Sequence, residues 1–545
     1  MNGTSRKTRG HVVAFALPFW GLFYFPHNWH IGTIAKGYIF IGHAKPLVAL
    51  IAKLVQNSRR TRLHATLFIE VTLFDKVIAE VARHFRPGDE NELRDLVRVV
   101  GLPCSSEPFQ FQIYEQGFIR GYEVLLKEEP IRALESSNFI YDSIPAPELV
   151  VIDFLSYDAF IGIRAVSGSS VPIYALQYGA VSAILFLFGP ENMGGKGDLA
   201  EKFGQVQVED KVVRAEEIES RYFGFKNELI QIPGLPPMYH YEHVPQIQAL
   251  PPGAKIADIA TWFQYAHKFL SECDGVINNS NRLYEPAALD QLQRWIGFRP
   301  FSVIGPLPSP EGERSVALSP KDSIVANEVD AFLNESLHNY GPCSVIYISF
   351  GTVFWPRNPE KIWTIIDVLI EKRIPFIFSH ASPLAVVPEP VSARVRTSGL
   401  GYMANWIPQQ VLTHEACGWF MSHCGQNSTL ESLMAGVPLI CWPYFGDQPF
   451  NAMLVSLVHN VGYELLEVRD GPGLRPLYRL KGRAPEGTLE AIRREIIVAL
   501  ELAYGEDGLK KRKKAKWFQQ KFSEEWKEGG TSSRELRKVV ENFGW

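Results

Sequence analysis

Cysteine is scarce in this chain. Among 545 residues there are six, at Cys104, Cys273, Cys343, Cys417, Cys424 and Cys441, and no two form a C-x-x-C pair. That pattern excludes a disulfide-built scaffold and a redox dithiol, and fits reduced, buried thiols in a cytoplasmic protein. His414, Cys417, His423 and Cys424 lie close in sequence, but Cys417 and Cys424 bracket one apolar run, which argues against a zinc site. No run of 18 or more apolar residues occurs, so no integral membrane segment is expected. The start SRKTRG-HVVAFALPFWGLFYF imitates a signal peptide without a small-residue cleavage site, and VVAFALPF reads equally as a first buried strand. A net charge of −4 leaves no broad basic face for nucleic acid. The one basic cluster, Lys510-Lys511-Arg512-Lys513-Lys514, reads as a solvated helix face. H-E-x-x-H, G-x-S-x-G and G-x-G-x-x-G are all missing, which counts against zinc proteases, serine hydrolases and nicotinamide-dependent epimerases. The stretch Gly189 to Lys196 imitates a phosphate-binding loop, but its spacing is one residue too long and Gly197 stands where Ser or Thr would hold magnesium; a flexible surface loop is expected.

What is present is a large globular chain, 46% hydrophobic and 21% charged, with room for two to three domains. Short β-rich runs alternate with helical patterns almost throughout. VVAFALPF, LHATLFIEVT, LVRVVGL, ELVVIDFL, VPIYALQY, GVINNS and FSVIGPL form a first set. SVIYISFG, IPFIFSH, GYMANWIP, GWFMSHCG, VPLICWPY and VGYELLEV form a second. That alternation predicts α/β architecture with two doubly wound parallel sheets. The Pro-, Ser- and charge-rich residues 306–323 read as the linker between residues 1–305 and 324–505, with helical residues 506–545 following.

The most informative stretch runs from Trp406 to Gln448. Apolar strand-like runs alternate there with Trp406, Gln409, His423, Asn427, Ser428, Glu431, Asp447 and Gln448. These polar groups fall at strand ends and at a helix start, where open α/β sheets bind ligands. Gly425, Asn427 and Ser428 stand where backbone N–H groups and the helix dipole receive a phosphate. Glu431, about one turn further, suits a ribose diol. A planar Trp, a phosphate cradle, a diol acceptor and an Asp-Gln pair together suit a nucleotide joined to a sugar.

The same residues carry a resemblance. W-x-P-Q, H-C-G-x-N-S, the following Glu, G-V-P and the closing D-Q resemble the signature box of the UDP-dependent glycosyltransferases, an inverting family of GT-B architecture. Here the box is Trp406, Pro408, Gln409, His423, Cys424, Gly425, Asn427, Ser428, Glu431, Gly436, Val437, Pro438, Asp447 and Gln448. The resemblance implies two facing Rossmann-like domains with the active site in the cleft, acceptor on the first and UDP-sugar on the second. It implies that Trp406 stacks on uracil, Gln409 bonds its edge and Glu431 holds the ribose. It further implies that His423, Asn427 and Ser428 meet the diphosphate, with Gly351 and Thr352 of SFGT beside it, and that Asp447 and Gln448 hold the sugar. Gln448 resembles glucose users more than galactose users. No metal or other cofactor is implied, and D-x-D, the mark of metal-dependent transferases of the other main fold, does not occur. The segment between Gln409 and His423 is one residue shorter than the common plant form, and Gln426 replaces its Trp. By the same resemblance, residues 506–545 cross back onto the first domain.

Transfer of a sugar needs a base for the acceptor proton, and histidine suits that task near neutral pH. Family members place it in a Gly-His pair after the first strand, with an Asp at a later strand end. The matches are Gly42-His43 and Asp153, with Asp158 as a second candidate carboxylate. The aromatics of FQFQIYEQGF, DFLSYDAF and AILFLFGP suit a small apolar acceptor bearing a hydroxyl.

One feature breaks the pattern. In relatives the first strand leads straight to Gly-His, whereas here GLFYFPHNWHIGTIAKGYIFIG, residues 21–42, intervenes. It is either a translated intron or a loop over the acceptor pocket, and the alternative to an active transferase is a UDP-sugar-binding protein disabled by it.

Overall fold

The computed structural model describes residues 9–16, 43–58, 62–85, 96–104, 111–247, 263–308, 320–351 and 353–545. The interruption at 21–42 and most of the linker, residues 309–319, lie outside them.

Two parallel sheets organise the chain. The first comprises β1 (Arg9–Phe15), β2 (Arg62–Glu70), β3 (Val97–Leu102), β4 (Leu149–Asp153), β5 (Ile173–Gln177), β6 (Gly275–Asn278) and β7 (Phe301–Val303), in the order β7-β6-β5-β4-β1-β2-β3. The second comprises β8 (Val345–Ser349), β9 (Phe376–Ser379), β10 (Gly401–Ala404), β11 (Cys417–Ser422), β12 (Leu439–Cys441) and β13 (Gly462–Glu464), in the order β10-β9-β8-β11-β12-β13. Helices cover both faces, so central strands such as β4, β8 and β11 are buried along their whole length. That is why they read as continuous apolar runs rather than alternating ones.

In each sheet the chain winds outward in one direction and then in the other. The reversal falls between β1 and β4 in the first sheet, and between β8 and β11 in the second. A crevice forms at the carboxyl ends of strands at such a reversal. The helix after β1, α1 (Ala44–Asn57), is anchored by Leu47, Leu50, Ile51, Leu54 and Val55, all buried at helical spacing. Each such side chain contributes on the order of 1.5–3 kcal/mol when removed from water.

The two domains share a core. Ala180, Ala183, Phe186, Ile232 and Tyr284 of the first half pack in one cluster with Phe450, Leu454 and Phe518 of the second. The last two helices divide their allegiance. The helix Glu506–Trp526 buries Ala515, Phe518 and Phe522 in the second-domain cluster, whereas Thr531–Asn542 places Leu536, Val539 and Val540 in the core of the first. Lys511 of the basic run is buried and Arg512 lies over the Trp419 ring, so the run is only partly a solvated face. The Gly189–Lys196 loop is packed, not merely superficial: the Lys196 ammonium donates to the Tyr222 carbonyl at 2.8 Å and sits over Phe186 and Phe223.

Trp545 closes the first domain. Its indole N–H donates to Glu148 at 2.6 Å, and its ring occupies the space a Cβ on Gly10 would need. Trp545→Ala is expected to destabilise the first domain by about 3 kcal/mol, since a buried indole and its packing are lost. A lowered urea midpoint for that domain is the measurement.

Candidate active site

The first crevice brings His43 and Asp153 together. Asp153 is the last residue of β4 and His43 directly precedes α1, so both stand at the reversal between β1 and β4. His43 Nδ1 is 2.8 Å from Asp153 Oδ2, and the carboxylate is almost fully buried. Asp153 Oδ1 accepts the Leu155 N–H at 3.0 Å, which fixes the carboxylate plane. An Nδ1–H donated to Asp153 puts the imidazole lone pair on Nε2, the arrangement a general base requires. The 22-residue interruption at 21–42 lies between β1 and this histidine, yet His43 meets the carboxylate at hydrogen-bond distance.

Sequence reasoning missed Tyr178. Its hydroxyl lies against His43 Nδ1, its ring is 4.1 Å from the imidazole, and burial beside Asp153 pushes its pKa well up, so it stays a neutral phenol. Tyr178 follows the end of β5, the strand beside β4, and the rule that functional groups gather at strand carboxyl ends was the available signal. Asp158, the second candidate, sits in the first turn of the helix Tyr157–Ser167, where its charge acts on buried Glu115. Burial, with Asp158 and Asp153 adding to it, raises Glu115 to about 8, so it carries its proton at neutral pH.

The second crevice assembles the signature segment. After β11 the chain turns through Cys424 at φ 64° into Gly425, which caps the helix Gln426–Met434 (α2). A left-handed backbone at a non-glycine costs roughly 1 kcal/mol. It is held here by the Asn451 amide, which donates to the Cys424 carbonyl at 3.0 Å, and by Ser422 Oγ, which accepts the Cys424 N–H at 3.1 Å. His423 is wedged between two glycines: a Cβ on Gly351 would approach its ring to 3.0 Å and one on Gly425 to 2.7 Å. Burial lowers His423 to about 4, so it is a neutral imidazole at neutral pH. Asn427 and Ser428 occupy the first turn of α2, half-buried, where backbone N–H groups lack intrahelical partners. Trp406 is half-buried just after β10. Thr352 and the side chain of Gln409 lie outside the described residues.

Asp447 and Gln448 are committed to shaping the loop. Asp447 Oδ2 accepts the Gln426 N–H at 3.0 Å and bonds the Ala180 backbone of the first domain. Gln448 Oε1 accepts the N–H groups of Tyr444 and Phe445 at 2.8 and 3.1 Å, which commits that oxygen to the loop. Burial raises Asp447 to about 6, with the Gln426 and Ala180 N–H groups opposing the shift. Glu431, on α2, makes an ion pair at 2.8 Å with Lys45 of α1, another partner that the sequence pattern did not reveal. Among the described residues no group of three or more His, Cys, Asp or Glu side chains is placed to hold a metal ion, and no helix is long and apolar enough to cross a membrane.

A consequence for stability follows from Asp447. The unfolded carboxyl loses its proton near pH 4 and the folded one near 6. In that window the folded state binds more protons, so this residue's contribution falls as pH rises from about 4 to 6 and is constant above. Asp447→Asn is expected to gain stability relative to the wild type across that window, read from urea midpoints at pH 4.5 and 7; an unchanged difference between the two proteins would refute the assignment.

Known proteins resemble this chain in sequence and in fold. Residues 319–466 match the family described as UDP-glucoronosyl and UDP-glucosyl transferase. The UDP-glycosyltransferase eriJ of Hericium erinaceus is 38% identical over 274 residues, 49% of this chain and 52% of that protein. UDP-glycosyltransferase 76E6 of Arabidopsis thaliana is 30% identical over 273 residues, 49% of this chain and 53% of that protein. The chain thus aligns with only about half the length of these curated relatives. In fold the likeness extends further. A transferase from Siraitia grosvenorii in complex with UDP superposes with a TM-score of 0.62 at 19% identity, covering 98% of this chain and 99% of that one. The Phytolacca americana enzyme complexed with UDP-2fluoro-glucose and pterostilbene gives 0.63 at 18% identity, covering 98% and 100%. At such identities the likeness is one of fold. Residues 319–466 carry the sequence of the UDP-glucoronosyl and UDP-glucosyl transferase family, and the chain that holds them has the two-domain GT-B fold.

Proposed function

We propose that this chain transfers a hexose, with glucose the first candidate, from a UDP-sugar to a hydroxyl of a small apolar acceptor, with inversion and through a histidine base. The observation that carries the reading is the His43–Asp153 contact of 2.8 Å in a GT-B fold whose other domain bears the signature segment. Asp153 holds Nδ1–H, and His43 Nε2 takes the acceptor's proton as its oxygen attacks the anomeric carbon. The bond from that carbon to the β-phosphate oxygen breaks, its electron pair leaving with UDP, while Asp153 stabilises the imidazolium. The charge on the departing diphosphate falls to the first-turn N–H groups of α2, Asn427, Ser428 and the neutral His423. Trp406 and Gln409 take the uracil, Glu431 the ribose, and Asp447 and Gln448 the sugar hydroxyls, with Gly351 and Thr352 beside the diphosphate. One displacement with one base converts an α-linked donor into a β-glycoside.

The test is turnover of UDP-glucose with phenolic and terpenoid alcohols. His43→Ala is expected to lower kcat by about 10³-fold and Asp153→Asn by about 10²–10⁴-fold, with UDP binding retained. The anomeric coupling in the product's proton spectrum should be that of a β-linkage; an α-linkage would refute single displacement.

The interruption at 21–42 favours a second reading, a UDP-sugar-binding protein without transfer. A misplacement of about 1 Å at the base costs on the order of 10²-fold in rate. UDP binding without turnover, with turnover restored by deleting residues 21–41, would establish that reading. Turnover by the full chain would exclude it.

A further inference from the structure

Between α1 and α2 the two domains leave an open cleft, lined by Lys45, Glu80, His84, Asn427, Glu431 and Met434 among others. Lys45 comes from the first domain, two residues after His43; Asn427 and Glu431 come from the second, on the helix that faces the proposed nucleotide. Lys45 Nζ donates to Glu431 Oε1 at 2.8 Å, joining positions 386 residues apart. The side chains are 26% and 19% exposed, so the pair is only partly screened by water. Burial works against the Lys45 charge, but the carboxylates of Glu431 and Glu80 outweigh it and raise the group's pKa, so the ammonium persists. Among the described residues lining this cleft, Lys45 is the one lysine or arginine.

We propose that Lys45 is a positioning residue of the ribose subsite, supplied across the cleft by the acceptor domain. Its ammonium holds the Glu431 carboxylate at the cleft and so sets the orientation in which that carboxylate meets the ribose diol. The proposal rests on Glu431 being the ribose acceptor and adds to it a partner from the opposite domain. An isolated glutamate at this helix position samples several rotamers, and ordering it costs free energy at the moment of binding. An ammonium at 2.8 Å meets that cost beforehand. Because Lys45 and His43 begin the same helix, seating the ribose and setting the base draw on one element. The carboxylate that reads the donor and the imidazole that serves the acceptor are thereby tied together. Selectivity for a ribonucleotide over a deoxyribonucleotide would then depend on a residue outside the signature segment.

Calorimetric titration of UDP and 2′-deoxy-UDP tests this on the full-length protein and its Lys45→Met, Lys45→Arg, Glu431→Gln and Lys45→Met/Glu431→Gln forms. Lys45→Met is expected to weaken UDP about tenfold, as for one lost charge-assisted hydrogen bond, and 2′-deoxy-UDP by less than about twofold. Lys45→Arg should keep the discrimination between the two. In the Glu431→Gln background, Lys45→Met should add less than about twofold, because the two residues act as one unit. If Lys45→Met does not fold, Lys45→Gln carries the same expectations. Tighter or unchanged UDP binding by Lys45→Met overturns the proposal, as do equal losses for both nucleotides or fully multiplicative effects in the double variant. A wild-type protein that binds UDP and 2′-deoxy-UDP equally refutes the ribose role of Glu431, and the proposal falls with it. Wild-type discrimination that survives in Lys45→Met refutes Lys45 alone.

Discussion

Parallel strands all end at the same edge of their sheet, and that constraint places the candidate chemistry of this protein. In the first sheet the edge carries Asp153 at the end of β4, Tyr178 beyond β5 and His43 at the start of the helix after β1. In the second it carries Gly351 beyond β8, and His423 with Gly425 beyond β11. Each set stands where strand order reverses and the flanking helices part. Strand interiors have no such freedom. Packed on both faces by helices, they accept only side chains that survive full burial, so polar groups collect at the ends.

Facing two such edges across one cleft produces contacts that neither domain could make alone. Asp447 bonds the Ala180 backbone, Tyr284 Oη donates to Asn451 Oδ1 at 3.0 Å, and Lys45 pairs with Glu431. Asn451 in turn donates to the Cys424 carbonyl, so the first domain is braced against the turn that opens α2. The shared apolar cluster around Phe186, Tyr284, Phe450 and Phe518 brings these polar atoms within bonding distance, and their burial makes each lost partner costly. The closing helices reinforce the arrangement. One is packed into the second core and the next into the first, with only a few residues between them.

Much of the fold was legible in the chain because its strands are unusually pure. VVI of β4, VIYI of β8 and GWFM of β11 are apolar without alternation, as strands covered on both faces require. The second crevice was legible for a different reason: its polar residues come from one continuous segment, so their spacing is visible as a pattern. The first crevice was harder. His43 and Asp153 are 110 positions apart, and the resemblance rather than the local sequence suggested the pair. Tyr178 and Lys45 carried no pattern at all. Each is defined by what it meets across space, at distances in sequence of 135 and 386.

The sequence by itself determined the parallel α/β architecture, the division into two domains and the identity of the segment from Trp406 to Gln448. Those depend on hydrophobic period and on residues spaced along one strand-turn-helix unit, and both are local quantities. Only the tertiary structure decided that His43, despite the interruption preceding it, meets Asp153, that Asp447 spends one oxygen on a helix N–H, and that Glu431 is held by a lysine of the opposite domain. These contacts arise when two independently wound sheets dock. Docking is governed by the shape of buried surfaces drawn from the whole chain, which no window of sequence contains.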